Sequence, residues 1–214
     1  MKKPNLFLVS AASGTGKSTL INLVLDRANK SEFPLELSIS YTTRTPRIGE
    51  TDSNHYFFVS PEEFSAKKES NFFLEYAEVH GNCYGTSIEF VQSKLDAGIS
   101  LILEIDVQGY RQINNLSMEH ESIFILPPSM QSLEDRINKR GDDDLSSINL
   151  RLENAKNELI CASEYKNMII NDSIDDASEI LYQIITQEKA IIQPNREELQ
   201  QFLAQLLSSW VNKH

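Results

Sequence analysis

The stretch "VSAASGTGKSTL", Val9 to Leu20, decides how this chain of 214 residues is read. Its end matches the phosphate-binding pattern G-x-x-x-x-G-K-[ST] through Gly16, Lys17 and Ser18, and Ala11 stands where the pattern has its first glycine. The apolar run "LFLVS" precedes it from Leu6. After it, Leu20, Ile21 and Val24 fall on one face of a helix over Lys17 to Asn29. Strand, glycine-rich loop and helix are the context in which successive backbone N–H groups cradle a phosphate. Ala11, Ala12, Ser13, Gly14, Thr15, Gly16, Lys17, Ser18 and Thr19 are therefore expected to hold the phosphates of a nucleotide. Lys17 would bridge the β- and γ-phosphates and Ser18 would offer an oxygen to Mg²⁺. Thr19 is expected to begin the helix proper. Ala11 costs little at negative φ and is strained if the turn there needs positive φ. The competing reading is a turn rich in serine and glycine that binds nothing.

Working outward, short apolar runs recur as "LILEI" from Leu101, "SIFIL" from Ser122 and "NMII" from Asn167. Such runs suit strands buried on both faces of a parallel sheet. Between them lie helical patterns. That from Ser173 to Ala190 puts Ile174, Ala177, Leu181 and Ile184 on one face, and Ser173 followed by Asp176 reads as a capping box. The alternation predicts an α/β fold with crossover helices. Two stretches interrupt it and read as insertions over a nucleotide site. One, about 38–97, is polar and aromatic, with "HYFFV" as an exposed strand and "PEEFSAKK" as a helix start. The other, about 128–158, is highly charged. The core is then about 1–37, 98–127 and 159–191 of a single domain. A final amphipathic helix, about 195–212, carries Leu199, Phe202, Leu203, Leu206, Leu207, Trp210 and Val211 as one stripe. That stripe either docks on its own core or joins two copies in a homo-oligomer.

The formal net charge is −11, from 20 Lys and Arg against 31 Asp and Glu. A general nucleic-acid surface is excluded, because a phosphate backbone needs a positive face. A local basic pocket for a small anion is not. Cys83 and Cys161 are the two cysteines and read as free thiols in a reducing compartment. The lysines and short apolar run of the first residues look superficially like a signal peptide, but the run feeds the glycine loop and reads as a buried strand. No apolar run is long enough to span a membrane. The expected location is the cytoplasm.

"SISYTTRTPRIGE", Ser38 to Glu50, holds Arg44 and Arg47 three residues apart in a loop of threonine and proline. Paired guanidinium groups there make poor core and suit a phosphate. Here the sequence resembles guanylate kinases, whose T-T-R-x-P-R-x-G-E motif is matched by Thr42, Thr43, Arg44, Pro46, Arg47, Gly49 and Glu50. The resemblance continues through "HYFFV" (His55 to Val59), "FLEYAEVHGNCYGT" (Phe73 to Thr86), "EIDVQG" (Glu104 to Gly109), "FILPPS" (Phe124 to Ser129) and "RINKRG" (Arg136 to Gly141), and spans about Asn5 to Ala190.

The resemblance implies a P-loop NTPase three-layer core with a parallel sheet, a GMP-binding subdomain and a helical lid. It implies ATP and GMP as substrates and Mg²⁺ with the ATP. Arg44 and Arg47 would hold the GMP phosphate with the hydroxyls of Tyr56 and Tyr84. Glu75 would accept from the guanine edge, Ser40 and Thr86 would face the base, and Asp106 would sit near the exocyclic amine. Lys17 and the lid residues Arg136, Arg140 and Arg151 would be catalytic, closing on ATP and neutralising the transferring phosphoryl. Asn171 would flank the adenine. Guanine chemistry agrees, since N1–H and N2–H₂ are adjacent donors that a carboxylate complements and adenine lacks.

Glu104 departs from the family's usual aspartate, and its extra methylene moves a carboxylate by roughly 1.5 Å. Each acceptor-site residue also has a bland reading: Tyr56 and Tyr84 as packing aromatics, Glu75 as a solvated strand residue, the lid arginines as partners of surface carboxylates. Three functions compete: a GMP kinase, a non-catalytic binding module of the same fold, and another small-molecule P-loop kinase. Lys17, Ser18 and the lid arginines favour catalysis. Arg44, Arg47 and Glu75 favour a guanine acceptor.

Overall fold

The computed structural model of the chain describes residues 3–79, 81–138, 145–187 and 194–211. In chain order the elements are β1 (Leu6–Ala11), α1 (Lys17–Lys30), β2 (Leu35–Leu37), β3 (Tyr41–Thr42), β4 (Phe57–Phe58), α2 (Pro61–Glu69), β5 (Phe73–Val79), β6 (Asn82–Ser87) and α3 (Ile88–Asp96). They continue with β7 (Ser100–Glu104), α4 (Val107–Asn114), β8 (Glu121–Leu126), α5 (Met130–Asn138), α6 (Leu145–Ile160), β9 (Asn167–Ile170), α7 (Ile174–Thr186) and α8 (Arg196–Val211). One sheet has five strands in the order β2-β7-β1-β8-β9, and a second has four in the order β4-β3-β6-β5. In the first, β2 runs parallel to β7 and β8 parallel to β9, as strands buried on both faces and linked by helices must. The apolar runs read from the sequence are these strands, with Leu6 to Val9, Leu101 to Leu103 and Ile123 to Leu126 all at 1 % exposure or less.

The chain divides into two compact units, residues 1–8 with 34–120 and residues 9–33 with 121–214. In the first, β5 and β3 both run antiparallel to β6, and β4 lies parallel to β3. An aromatic layer supports this sheet: Tyr41 stacks on Phe57 with centroids 4.7 Å apart, and Phe64 on Phe73 at 4.5 Å. "HYFFV" contributes only Phe57 and Phe58 to a strand, and both are half-buried rather than exposed. The preceding loop holds Asp52, whose carboxylate takes the Phe58 N–H.

In the second unit α1 packs on α7, and Arg27 pairs with Glu179 while lying 4.0 Å over the Tyr182 ring. The buried face of α7 follows Ala177, Leu181 and Ile185, spaced by four. Ile174, in the first turn, is 37 % exposed and Ile184 is half-buried, so the face differs from the sequence expectation by a rotation of the helix. The helix ends at Thr186 on Gln187 in a left-handed conformation, short of the expected Ala190, which lies outside the described residues. Of the α8 stripe, Leu199, Leu203, Leu206 and Trp210 are buried within its own unit, where the helix packs against α5, α6 and β9, Phe202 and Leu207 are half-buried, and the Val211 side chain lies outside the described residues.

Helix starts follow capping chemistry. Ser60 and Glu63 form a full capping box on α2, with Pro61 in its first turn. Ser87, Asp106 and Ser173 accept the N–H groups of Phe90, Gly109 and Asp176 to cap α3, α4 and α7. Helix α1 begins at Lys17, two residues before the expected Thr19, on Gly16 as N-cap and with no side-chain cap bond. The positive end of the helix dipole there suits an anion.

Candidate active site

The end of β1, from Val9, begins the second unit and delivers the glycine loop to α1. Ala11 is the last residue of β1, and its φ lies outside the left-handed region. The missing first glycine therefore costs no backbone strain. Gly14 and Gly16 have φ of 87° and 96°, and a Cβ on Gly16 would lie 2.8 Å from the Asn171 side-chain nitrogen. Thr15 is fully buried, and its hydroxyl and N–H both donate to the Ala12 carbonyl, at 2.6 and 3.1 Å. The Thr15 carbonyl in turn accepts from Asn171 Nδ2 at 2.7 Å and Arg136 Nη1 at 3.1 Å. Asn171, expected beside an adenine, is 2 % exposed at the end of β9 and braces this carbonyl. Arg136, expected on a phosphoryl group, meets the same atom from α5.

The Ser13 N–H donates to Glu158 Oε2 at 3.2 Å, so a carboxylate of α6 takes one of the loop's amides. Lys17 is half-buried, while Ser18 and Thr19 are exposed on the first turn of α1. Arg151 is half-buried on α6. Arg140 lies outside the described residues. Glu158 carries no signal in the sequence, being one glutamate among many in a charged helix.

In the first unit, the arginine loop hangs from β3. The Thr42 hydroxyl donates to the Cys83 carbonyl at 3.0 Å and accepts the Arg44 N–H at 3.2 Å, and the Thr43 hydroxyl accepts the Cys83 N–H at 2.9 Å. The two threonines of the motif thus fix the loop to β6. Arg44 donates to Glu50 Oε1 at 2.9 Å and to the Thr45 carbonyl at 2.9 Å. Its guanidinium sits 5.4 Å from the Tyr56 ring centroid. The second Glu50 oxygen accepts the Arg47 N–H at 2.7 Å. The Arg44 hydrogen bond first, and that backbone N–H second, hold the Glu50 carboxyl down at about 2. The Arg44 pKa is raised, chiefly by Glu50 and further by the Tyr84 hydroxyl, against the opposing effect of burial. Tyr56 and Tyr84 stand 5.9 Å apart, centroid to centroid. Burial first, and then the Glu104 charge, push the Tyr56 phenol up, so its hydroxyl stays a donor. The Arg47 side chain is exposed at the loop's outer edge. Glu50 belongs to the motif, yet its part as the arginine's ion partner is not legible from spacing.

Glu75 is not a solvated strand residue. Phe73, Glu75 and Ala77 share the buried face of β5, and Glu75 is 4 % exposed. The Thr86 hydroxyl donates to Glu75 Oε1 at 2.6 Å, and Ser40 Oγ stands 3.4 Å from Thr86 Oγ1. Burial pushes the Glu75 carboxyl up to about 7; the Asp106 charge adds to this and the Thr86 bond opposes it. Asp106 caps α4 through Gly109 N–H at 2.8 Å and accepts from Gln108 Nε2 at 3.1 Å. The unit therefore gathers a cationic group with two phenol donors, and a buried carboxylate with two hydroxyls. The first suits an anion; the second suits a planar ligand edge bearing adjacent N–H groups.

A family model described as guanylate kinase matches residues 3–188. A guanylate kinase of Hahella chejuensis is 42 % identical over 209 residues, covering 98 % of this chain and 99 % of the relative. Another, of Vibrio parahaemolyticus, is 47 % identical over 177 residues, 83 % of this chain and 84 % of the relative. The crystal structure of guanylate kinase from Anaplasma phagocytophilum superposes with a TM-score of 0.70 at 28 % identity, over 96 % of either chain.

Proposed function

The chain belongs to the guanylate kinase family, and from that premise we propose which of its residues carry the reaction. It phosphorylates GMP to GDP with ATP. The acceptor is held in the insertion 38–97. Arg44 and Arg47, with the hydroxyls of Tyr56 and Tyr84, bind the GMP phosphate. Glu75 accepts guanine N1–H and N2–H₂, and Asp106 lies toward the exocyclic amine. Thr86 turns its hydrogen from Glu75 to guanine O6, so the carboxylate gains a ligand donor as it loses the hydroxyl. Ser40 faces the base beside it. Adenine brings no donor at N1 or C2 and would leave the Glu75 charge buried and unpaired.

The donor is held by the loop Ala11 to Thr19. Amides from Ser13 to Lys17 take the β-phosphate, and the Glu158 carboxylate yields the Ser13 N–H to it. Asn171 braces the loop through Thr15 and stands beside the adenine. A GMP phosphate oxygen attacks the γ-phosphorus in line, with no covalent enzyme intermediate. Lys17 with Arg136, Arg140 and Arg151 of the lid, 128–158, stabilises the charge that spreads over the transferring group.

Magnesium fits the donor set. It prefers hard oxygens, keeps several waters, and is carried mainly by nucleotide phosphates with one or two protein oxygens. The exposed Ser18 hydroxyl is of that kind, and among the described residues no cluster of three His, Cys, Asp or Glu forms a dedicated cage. When bound, the ion neutralises charge on the β- and γ-oxygens. No helix among the described residues is long and apolar enough to cross a membrane. We place the reaction in the cytoplasm, where Cys83 and Cys161, which form no disulfide, stay reduced. Since Leu199, Leu203, Leu206 and Trp210 of the α8 stripe are buried within their own unit, we favour docking on its own core over the joining of two copies.

The observation that carries the base assignment is the buried Glu75 carboxylate with a hydroxyl donor 2.6 Å away. A coupled assay with ATP and each nucleoside monophosphate tests it. GMP is expected to turn over fastest, and faster turnover of AMP removes Glu75 from the base site.

A further inference from the structure

Helix α4 is laid along β5 by two glutamines. Strand β5 is an edge of its sheet, so its outward backbone groups need partners. Gln112 supplies both kinds: its Oε1 accepts the Tyr76 N–H at 3.1 Å and its Nε2 donates to the Tyr76 carbonyl at 2.6 Å. One turn earlier, Gln108 Nε2 reaches toward the Glu78 carbonyl at 3.5 Å. The amide of Gln112 thus stands in for an adjoining strand and sets how closely the helix approaches.

Between these glutamines sits Gly109, buried in the first turn of α4. Its φ is not positive, so conformational freedom does not explain a glycine there. Within a helix, glycine costs about 1 kcal/mol relative to alanine, so something else must favour it. A Cβ at this position would lie 2.4 Å from Glu75 Oε2 and 3.1 Å from Glu75 Cδ, far inside the roughly 3.3 Å at which carbon and oxygen touch. Two movements could relieve that overlap. The helix could retreat, but Gln112 ties it to both backbone groups of Tyr76. The carboxylate could move instead, and it would then lose the Thr86 bond.

We propose that Gly109 is a positioning residue for guanine selection: its missing side chain is the space in which the Glu75 carboxylate is seated. The inference rests on the assignment of Glu75 to the guanine edge, and its test separates the two. Gly109→Ala is expected to raise the GMP KM about tenfold while leaving the ATP KM within about twofold. It should also narrow the preference for GMP over IMP, which lacks the exocyclic amine. In a Glu75→Ala background the added methyl keeps only an ordinary contact, 3.5 Å from Asp106 Oδ1, so Glu75→Ala/Gly109→Ala should match Glu75→Ala in GMP KM and in melting temperature. If Gly109→Ala fails to fold, a folded double variant supports the proposal and an unfolded one overturns it. A Gly109→Ala effect of equal size in both backgrounds overturns it too. If Glu75→Ala raises the GMP KM while Gly109→Ala does not, the Gly109 assignment alone falls. If Glu75→Ala leaves the GMP KM unchanged, the assignment of Glu75 falls and Gly109 with it.

Discussion

Thr86 donates its hydroxyl hydrogen to Glu75 Oε1 across 2.6 Å, and both side chains are nearly sealed from water, at 0 % and 4 % exposure. The hydrogen bonds from Thr86 do not compensate this carboxylate for the hydration it has lost. Burial therefore holds this carboxyl at about 7 against an ordinary value of 4.5. Between those values the folded chain keeps a proton that the unfolded chain has released. The linked stability is fully present below 4.5 and is lost as pH rises through 7. It amounts to about 3 kcal/mol. Glu75→Gln carries no such proton. Denaturant titrations should show wild-type stability falling between pH 5 and 8 relative to Glu75→Gln, and parallel profiles would contradict the burial of a titrating carboxyl here. Guanine donors need the ionised form, so GMP binding at pH 6 should release a proton, read by calorimetry in buffers of different ionisation enthalpy.

The pair formed by Arg44 and Glu50 behaves in the opposite sense. Its carboxyl is held down at about 2, so what the pair contributes is present above the ordinary glutamate value and is lost only as pH falls through about 2. At neutral pH Glu50 orients Arg44 through one oxygen and closes the loop on the Arg47 N–H through the other. Glu50→Ala should raise the GMP KM about tenfold with little effect on that for ATP, because an unheld guanidinium must be ordered by the ligand itself. Arg44→Ala should raise it further. Adding Glu50→Ala to Arg44→Ala should then change little, since the two act as a unit. Fully additive effects would mean that Glu50 does not work through Arg44.

The sequence makes the parallel strands legible because burial on both faces leaves continuous apolar runs, and the glycine loop because its chemistry is local. The acceptor residues are legible only as a set, through family motifs; Glu75 by itself reads as surface. What stays hidden is contact between distant positions that no periodicity marks. Asn171 reaches a carbonyl 156 residues away, and Gln112 reaches a strand 36 residues away. The face of α7 shows another limit. Ile174 is as apolar as Ile185, but the first lies in the helix's opening turn at 37 % exposure and the second is buried at 1 %. Hydrophobic spacing gives a face only to within a rotation of the helix.

The brace on Thr15 bears directly on the donor side. Its carbonyl accepts from Asn171 and Arg136, and Arg136, assigned to the transferring phosphoryl, must leave the carbonyl to reach it. Asn171 then remains as the buried donor. Asn171→Ala leaves the carbonyl on Arg136 alone in the free protein, so the melting temperature should fall, and strands it at about 1–3 kcal/mol once Arg136 turns to the phosphoryl, so the ATP KM should rise severalfold. The GMP KM should stay near its wild-type value. If GMP and ATP binding suffer equally, Asn171 is a general core residue and not a brace of the phosphate loop.

Lys17 follows the two left-handed glycines and opens α1, whose start no side chain caps. A cation there adds to the field of the helix N-terminus, where phosphate charge grows as the γ-phosphoryl moves. Lys17→Met keeps the length of the side chain and removes the charge. It should lower kcat about a hundred- to a thousandfold. GMP binding should survive, since the residues assigned to it belong to the other compact unit. Single-turnover rates give the loss in the chemical step, and calorimetric titration with GMP alone gives the acceptor affinity. A comparable loss of GMP affinity would show that donor and acceptor sites have been wrongly divided between the two units. An unchanged rate would remove Lys17 from the transfer altogether.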